Sequence, residues 1–175
     1  EGGNYKGLAL LAGSPRKLEE IMLDQNEEVL QSAKGLVKWI VKKQVAKITA
    51  MFEGLYELSD EEAKKKKVGG GTTLYYFKEM GEHSAPSYLE KLEKPVIIMQ
   101  GEKDFQATVE KDFQAYKELL KGKVNVTFCL YENLNHAFVP SIYGNIMKAK
   151  QEYNVEQHIG KDVIEDLARW IWSAV

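Results

Sequence analysis

Val96-Ile97-Ile98-Met99, opened by Pro95 and closed by Gln100-Gly101, sets the tightest limit on what this chain can fold into. An apolar run without alternation is the signature of a strand covered on both faces, and such strands belong to parallel sheets flanked by helices. Two further segments supply neighbours. Tyr5 to Gly13 contains the run Leu8-Ala9-Leu10-Leu11-Ala12 and reads as a buried strand. Val124, Val126, Phe128 and Leu130 alternate with Asn125, Thr127, Cys129 and Tyr131, as in a strand nearer a sheet edge.

Between the first two strands the pattern turns helical. Leu18, Ile21, Met22, Val29, Leu30 and Ala33 keep helical spacing up to Gly35, and Val37, Val41, Ile48, Phe52 and Leu55 continue it. Ser59 and Glu62 form a capping-box pair that opens a short helix through Lys64 to Lys67. Gly69-Gly70-Gly71 reads as a hinge, since no preceding strand and no following Lys-Ser or Lys-Thr supports a phosphate loop. Further helices are expected from Thr72 to Met80 and near Pro86 to Leu92. Thr108 caps a helix through Phe113, Tyr116, Leu119 and Leu120 that stops at Gly122. After a loop of about thirty residues, a final helix carries Val163, Ile164, Leu167, Ala168 and Ile171 on one face. Trp39, Trp170 and Trp172 read as packing residues. The order of elements implies an α/β fold with a parallel sheet.

Composition narrows the class of function. The 175 residues suit one ordinary domain, and 44% hydrophobic with 29% charged residues is a globular balance. A net charge of -2, from 24 basic and 26 acidic residues, gives no field that favours nucleic acid. No apolar run approaches the roughly 20 residues of a membrane span. The lone Cys129 cannot form an internal disulfide and leaves the compartment undecided. Glu1-Gly2-Gly3-Asn4 lacks an initiating Met and the marks of a signal peptide, and it leads at once into a core strand. The chain is therefore expected to continue a longer polypeptide.

In open α/β sheets, reactive groups gather in the loops beyond the carboxyl ends of the strands. Asp104 follows one strand in Gly101-Glu102-Lys103-Asp104, and His136 follows the next in Asn133-Leu134-Asn135-His136-Ala137-Phe138. Adjacent parallel strands bring the two loops to one edge, where a carboxylate can orient an imidazole and stabilise its charged form. Taken singly, the Asp reads as a turn former and the His as a surface residue. His83 and His158 have no comparable context, and no close ligand pair anchors a metal site.

Pro95 to Asp104 resembles the Pro-[apolar]4-x-Gly-x-x-Asp segment that delivers the triad acid in α/β-hydrolases, and Leu134 to Phe138 the segment that delivers their histidine. Lys6 to Arg16 is similar to that family's sixth strand. The resemblance spans essentially the whole chain and is nearest to bacterial esterase-like hydrolases. It implies the C-terminal half of an α/β-hydrolase: residues 1–16 as the first core strand and turn, 17–92 as a helical cap insertion, and 93–175 as the C-terminal part of the core. It implies Asp104 and His136 as triad members, Phe105 and Phe138 as walls of a substrate pocket, an ester or acyl substrate, and no metal or organic cofactor.

One member is missing from the pattern. No Gly-x-Ser-x-Gly elbow occurs in these residues, so the nucleophile is expected upstream and the chain alone to be inactive. Ser14 ends a strand, but Pro15 has no N–H to give to an oxyanion hole. The rival readings are a non-catalytic binding or scaffolding module that keeps the fold, and a flavodoxin-like ligand-binding domain, for which Gly13-Ser14-Pro15-Arg16 makes a poor phosphate loop. A sheet cut at its first strand would leave an apolar edge for the missing N-terminal half or for a second copy.

Overall fold

The computed structural model describes residues 4–174. In chain order the elements are β1 (Leu8–Leu11), α1 (Leu18–Ser32), α2 (Gly35–Phe52), α3 (Asp60–Lys65), β2 (Lys67–Gly69), β3 (Thr72–Thr73), α4 (Leu74–Glu82), α5 (Ala85–Leu89), β4 (Val96–Gly101), α6 (Gln114–Leu119), β5 (Val126–Tyr131), α7 (Ala149–Glu152) and α8 (Lys161–Ala174). They form two compact units. One joins the residues up to Pro15 to those from Pro86 onward, and the other runs from Arg16 to Ala85.

The first unit is a mixed α/β arrangement around a three-stranded parallel sheet of order β1-β4-β5. Leu10 pairs with Ile98, and Ile98 with Phe128. Central β4 explains its own sequence, because all six of its residues are buried. Ile97 and Met99 face a cluster of Ala12, Tyr131, Leu134, Phe138 and Val163, against which Leu167 and Trp170 of α8 pack. Val96 and Ile98 face the opposite cluster of Leu89, Phe113, Tyr116 and Leu120. Each fully buried Val, Leu, Ile, Phe or Met among them contributes about 1.5–3 kcal/mol by leaving water.

Some edges of the pattern differ from expectation. Val124 precedes β5 and is fully exposed, because the chain turns at Gly122 (φ 80°) and enters the sheet only at Val126. Asn125 makes the entry, its Nδ2 donating to the carbonyls of Lys94 (2.7 Å) and Leu92 (3.2 Å). Leu130 is exposed, and Tyr131 is buried in its place. On α8 the inward stripe is Val163, Leu167 and Trp170, whereas Ile164, Ile171 and Trp172 lie exposed outside this narrower i, i+4, i+7 seam. Thr108 caps as expected, its Oγ1 accepting from Lys111 N, but the turn it opens is a single π-turn at Val109–Phe113 before α6.

In the second unit, Ile48, Phe52, Leu55, Ala63, Leu74 and Phe77 form the core. This core gathers at the C-terminal end of α2, so Val37 and Trp39 near its start are exposed rather than packed. The Ser59/Glu62 capping box opens α3, with reciprocal bonds of 2.9 and 3.4 Å. α3 stops at Lys65, and Lys67 already belongs to β2. The glycine run is not a hinge but the turn of the β2–β3 hairpin. Gly70 and Gly71 take φ of 56° and 90°, a left-handed pair that a two-residue turn between twisted strands demands and glycine accepts without strain.

Candidate active site

The parallel register of β4 and β5 sends two loops from one end of the sheet. Their backbones are joined directly: Glu102 N donates to Tyr131 O and Lys103 N to Leu134 O, both at 2.8 Å. Glu102 Oε2 accepts from Asn133 N at 3.1 Å. Gly101 makes this approach possible. A Cβ there would lie 2.5 Å from the carbonyl oxygens of both Leu134 and Asn135, so no other residue fits without moving backbone.

Asp104 is 4% exposed and fully engaged. Its Oδ1 accepts from the backbone N–H groups of Gln106 (2.7 Å) and Ala107 (3.1 Å). Its Oδ2 accepts from Gln100 Nε2 at 2.8 Å and lies 2.8 Å from His136 Nδ1. Gln100 is held in turn by donating to Ala107 O at 2.8 Å, so the buried amide fixes the carboxylate from below. Four donors hold this buried carboxylate in one rotamer.

His136 sits differently. Its side chain is 38% exposed, and its only hydrogen bond among the described residues is the one from Nδ1 to Asp104, so Nε2 has no partner there. The hydrogen bond to Asp104 and the carboxylate's charge raise the imidazole above its ordinary value, against the opposing effect of burial. A neutral imidazole oriented this way donates through Nδ1 and presents Nε2 as a base, and the adjacent carboxylate stabilises the imidazolium that forms on proton uptake.

The His136 turn is built by Asn135, which is fully buried. Asn135 Oδ1 accepts from Ala137 N (3.0 Å) and Val139 N (3.4 Å), and its backbone pairs with Phe138 N and Val139 O. Phe138 takes φ 57°, a left-handed conformation that costs a non-glycine residue about 1–2 kcal/mol. Its ring is held in the core against Tyr131, with centroids 6.0 Å apart. Phe105 is also buried and lies 6.0 Å from Tyr153. Both rings are thus buried beside the two loops.

Ser14 stands at the carboxyl end of β1, where its hydroxyl donates to Asp112 Oδ1 at 2.5 Å. Asp112 is fully buried and its other oxygen accepts from Thr108 N at 2.6 Å. Among the described residues, no hydroxyl is hydrogen-bonded to His136. No group of three or more His, Cys, Asp or Glu among them is placed to hold a metal ion, and no described helix is long and apolar enough to cross a membrane.

Gln100, Asn135 and Glu152 were not singled out by the sequence. Gln100 carried a readable signal, since a polar residue inside a buried strand must find partners. Glu152, in the long β5–α8 connection, carried none.

No family model matches the chain. Over 171 residues, 98% of its length, the chain is 29% identical to Esterase EstD of Thermotoga maritima, and it spans 38% of that protein. The chain is thus distantly similar to part of an esterase.

Proposed function

We propose that the chain is the acid- and histidine-bearing part of a serine carboxylesterase of the α/β-hydrolase superfamily, with residues 17–92 as its cap. The observation that carries the reading is the pairing of His136 with a buried, four-fold hydrogen-bonded Asp104 at the ends of adjacent parallel strands. In this reading a serine outside these residues attacks the ester carbonyl. His136 Nε2 takes the hydroxyl proton as the tetrahedral intermediate forms, then returns it to the leaving alkoxide. Asp104 fixes the tautomer and offsets the imidazolium charge, and water repeats the sequence on the acyl-enzyme. No step requires a metal or an organic cofactor. The remainder of the enzyme would cover the free side of β1 and supply the oxyanion donors.

The test is hydrolysis of p-nitrophenyl acetate by the 175-residue chain, beside an Asp104→Asn, His136→Ala double variant. Equal background rates are expected. Turnover well above the double variant would place a nucleophile within the chain and return Ser14 to consideration.

A further inference from the structure

Glu152, at the end of α7, is completely buried and has no cationic partner among the described residues. Its side-chain oxygens accept hydrogen bonds only from the loop that carries His136, among the described residues. Oε1 accepts from Asn135 Nδ2 (3.0 Å), Ser141 Oγ (2.8 Å) and Ile142 N (3.2 Å), and Oε2 from Ile142 N (3.2 Å) and Tyr143 N (2.7 Å). A carboxylate stays ionised in such a place only when donors replace its water. Burial pushes its proton affinity up, and the bonds from Asn135, Tyr143, Ser141 and Ile142 more than reverse that, leaving it below the ordinary carboxylate range.

The chain of contacts runs straight to the imidazole. Glu152 holds the amide of Asn135 by its nitrogen, and the same amide's oxygen is thereby turned toward Ala137 N and Val139 N, closing the turn that bears His136. On the other side, Lys103 N and the close approach at Gly101 hold the same turn against the Asp104 loop. We propose that Glu152 is a positioning residue for the hydrolytic pair, acting through Asn135 to lock the turn that sets His136 Nδ1 against Asp104. This rests on the hydrolase reading above. It assigns the long β5–α8 connection a task, with one buried carboxylate gathering residues 135 and 141–143 so that a partly exposed histidine keeps one orientation.

The test reads the position of His136 rather than stability. Its imidazole is titrated by proton NMR in the wild-type chain and in Glu152→Gln, Asn135→Ala, Asp104→Asn and Leu120→Ala. Gln keeps the shape of Glu but turns an amide N–H toward the backbone donors. The Asp104→Asn midpoint is expected to fall below wild type, and Glu152→Gln and Asn135→Ala to fall with it although Asp104 is intact. Leu120→Ala, which opens a hole in the opposite core cluster, should leave the midpoint in place. If Glu152→Gln does not fold, Asn135→Ala, which cuts the same link, carries the test. A wild-type midpoint in folded Glu152→Gln or Asn135→Ala, or an equal fall in Leu120→Ala, overturns the proposal. If Asp104→Asn itself leaves His136 unmoved, the hydrolase reading fails, and the proposal with it.

Discussion

His136 Nδ1 lies 2.8 Å from Asp104 Oδ2, and the two residues sit in loops that leave adjacent parallel strands in register. The contact raises the histidine above its ordinary 6.5. A group whose folded value is raised contributes stability that is fully present below the unfolded value and is lost as pH rises through the folded one. Wild-type chain should therefore exceed His136→Gln in unfolding free energy by most in mild acid, and the margin should shrink as pH climbs past the folded value. Urea denaturation of both proteins on either side of that range checks this. A margin that grows toward alkaline pH contradicts it.

Gly101 is predicted to be the least replaceable residue of the Asp104 loop. A methyl group 2.5 Å from two carbonyl oxygens must push the loops apart. Gly101→Ala should cost about 1–3 kcal/mol, as for other forced overpacking, and should also lower the titration midpoint of His136. Loss of stability with the histidine unmoved would show that the strain is absorbed elsewhere.

β1 hydrogen-bonds only to β4 among the described strands, and Leu11 at its end is 46% exposed. An unpaired strand edge with apolar side chains is a template for pairing. The chain is expected to associate with concentration in sedimentation runs, and Leu11→Lys to weaken that association. A wild-type chain that stays monomeric at high concentration, without binding a hydrophobic dye, would remove the exposed edge from the account.

The central strand was legible because burial on both faces leaves no alternative pattern, and Val96 to Gly101 forms it. The parallel order of β1, β4 and β5 followed from the turns and helices between them. Patterns set by distant partners were harder to read. Ile164 and Leu167 are equally apolar, but only Leu167 meets the core. The glycine run read as a hinge because its flanking strands, three and two residues long, are too short for any period to show. At the candidate site, Asp104 and His136 stood out through their place after strands. Asn135 and Glu152 did not, because a hydrogen bond between residues 17 apart across an irregular loop leaves no periodic trace.

The claim that Asp104 and His136 serve a serine outside these residues is tested most directly by active-site labelling of the longer polypeptide with a fluorophosphonate, followed by peptide mapping. One labelled serine is expected, located outside the 175 residues, with labelling reduced about 10⁴-fold or more in rate by His136→Ala, in line with the loss of triad function. Labelling of a serine within this chain, or labelling at the wild-type rate in His136→Ala, would contradict it.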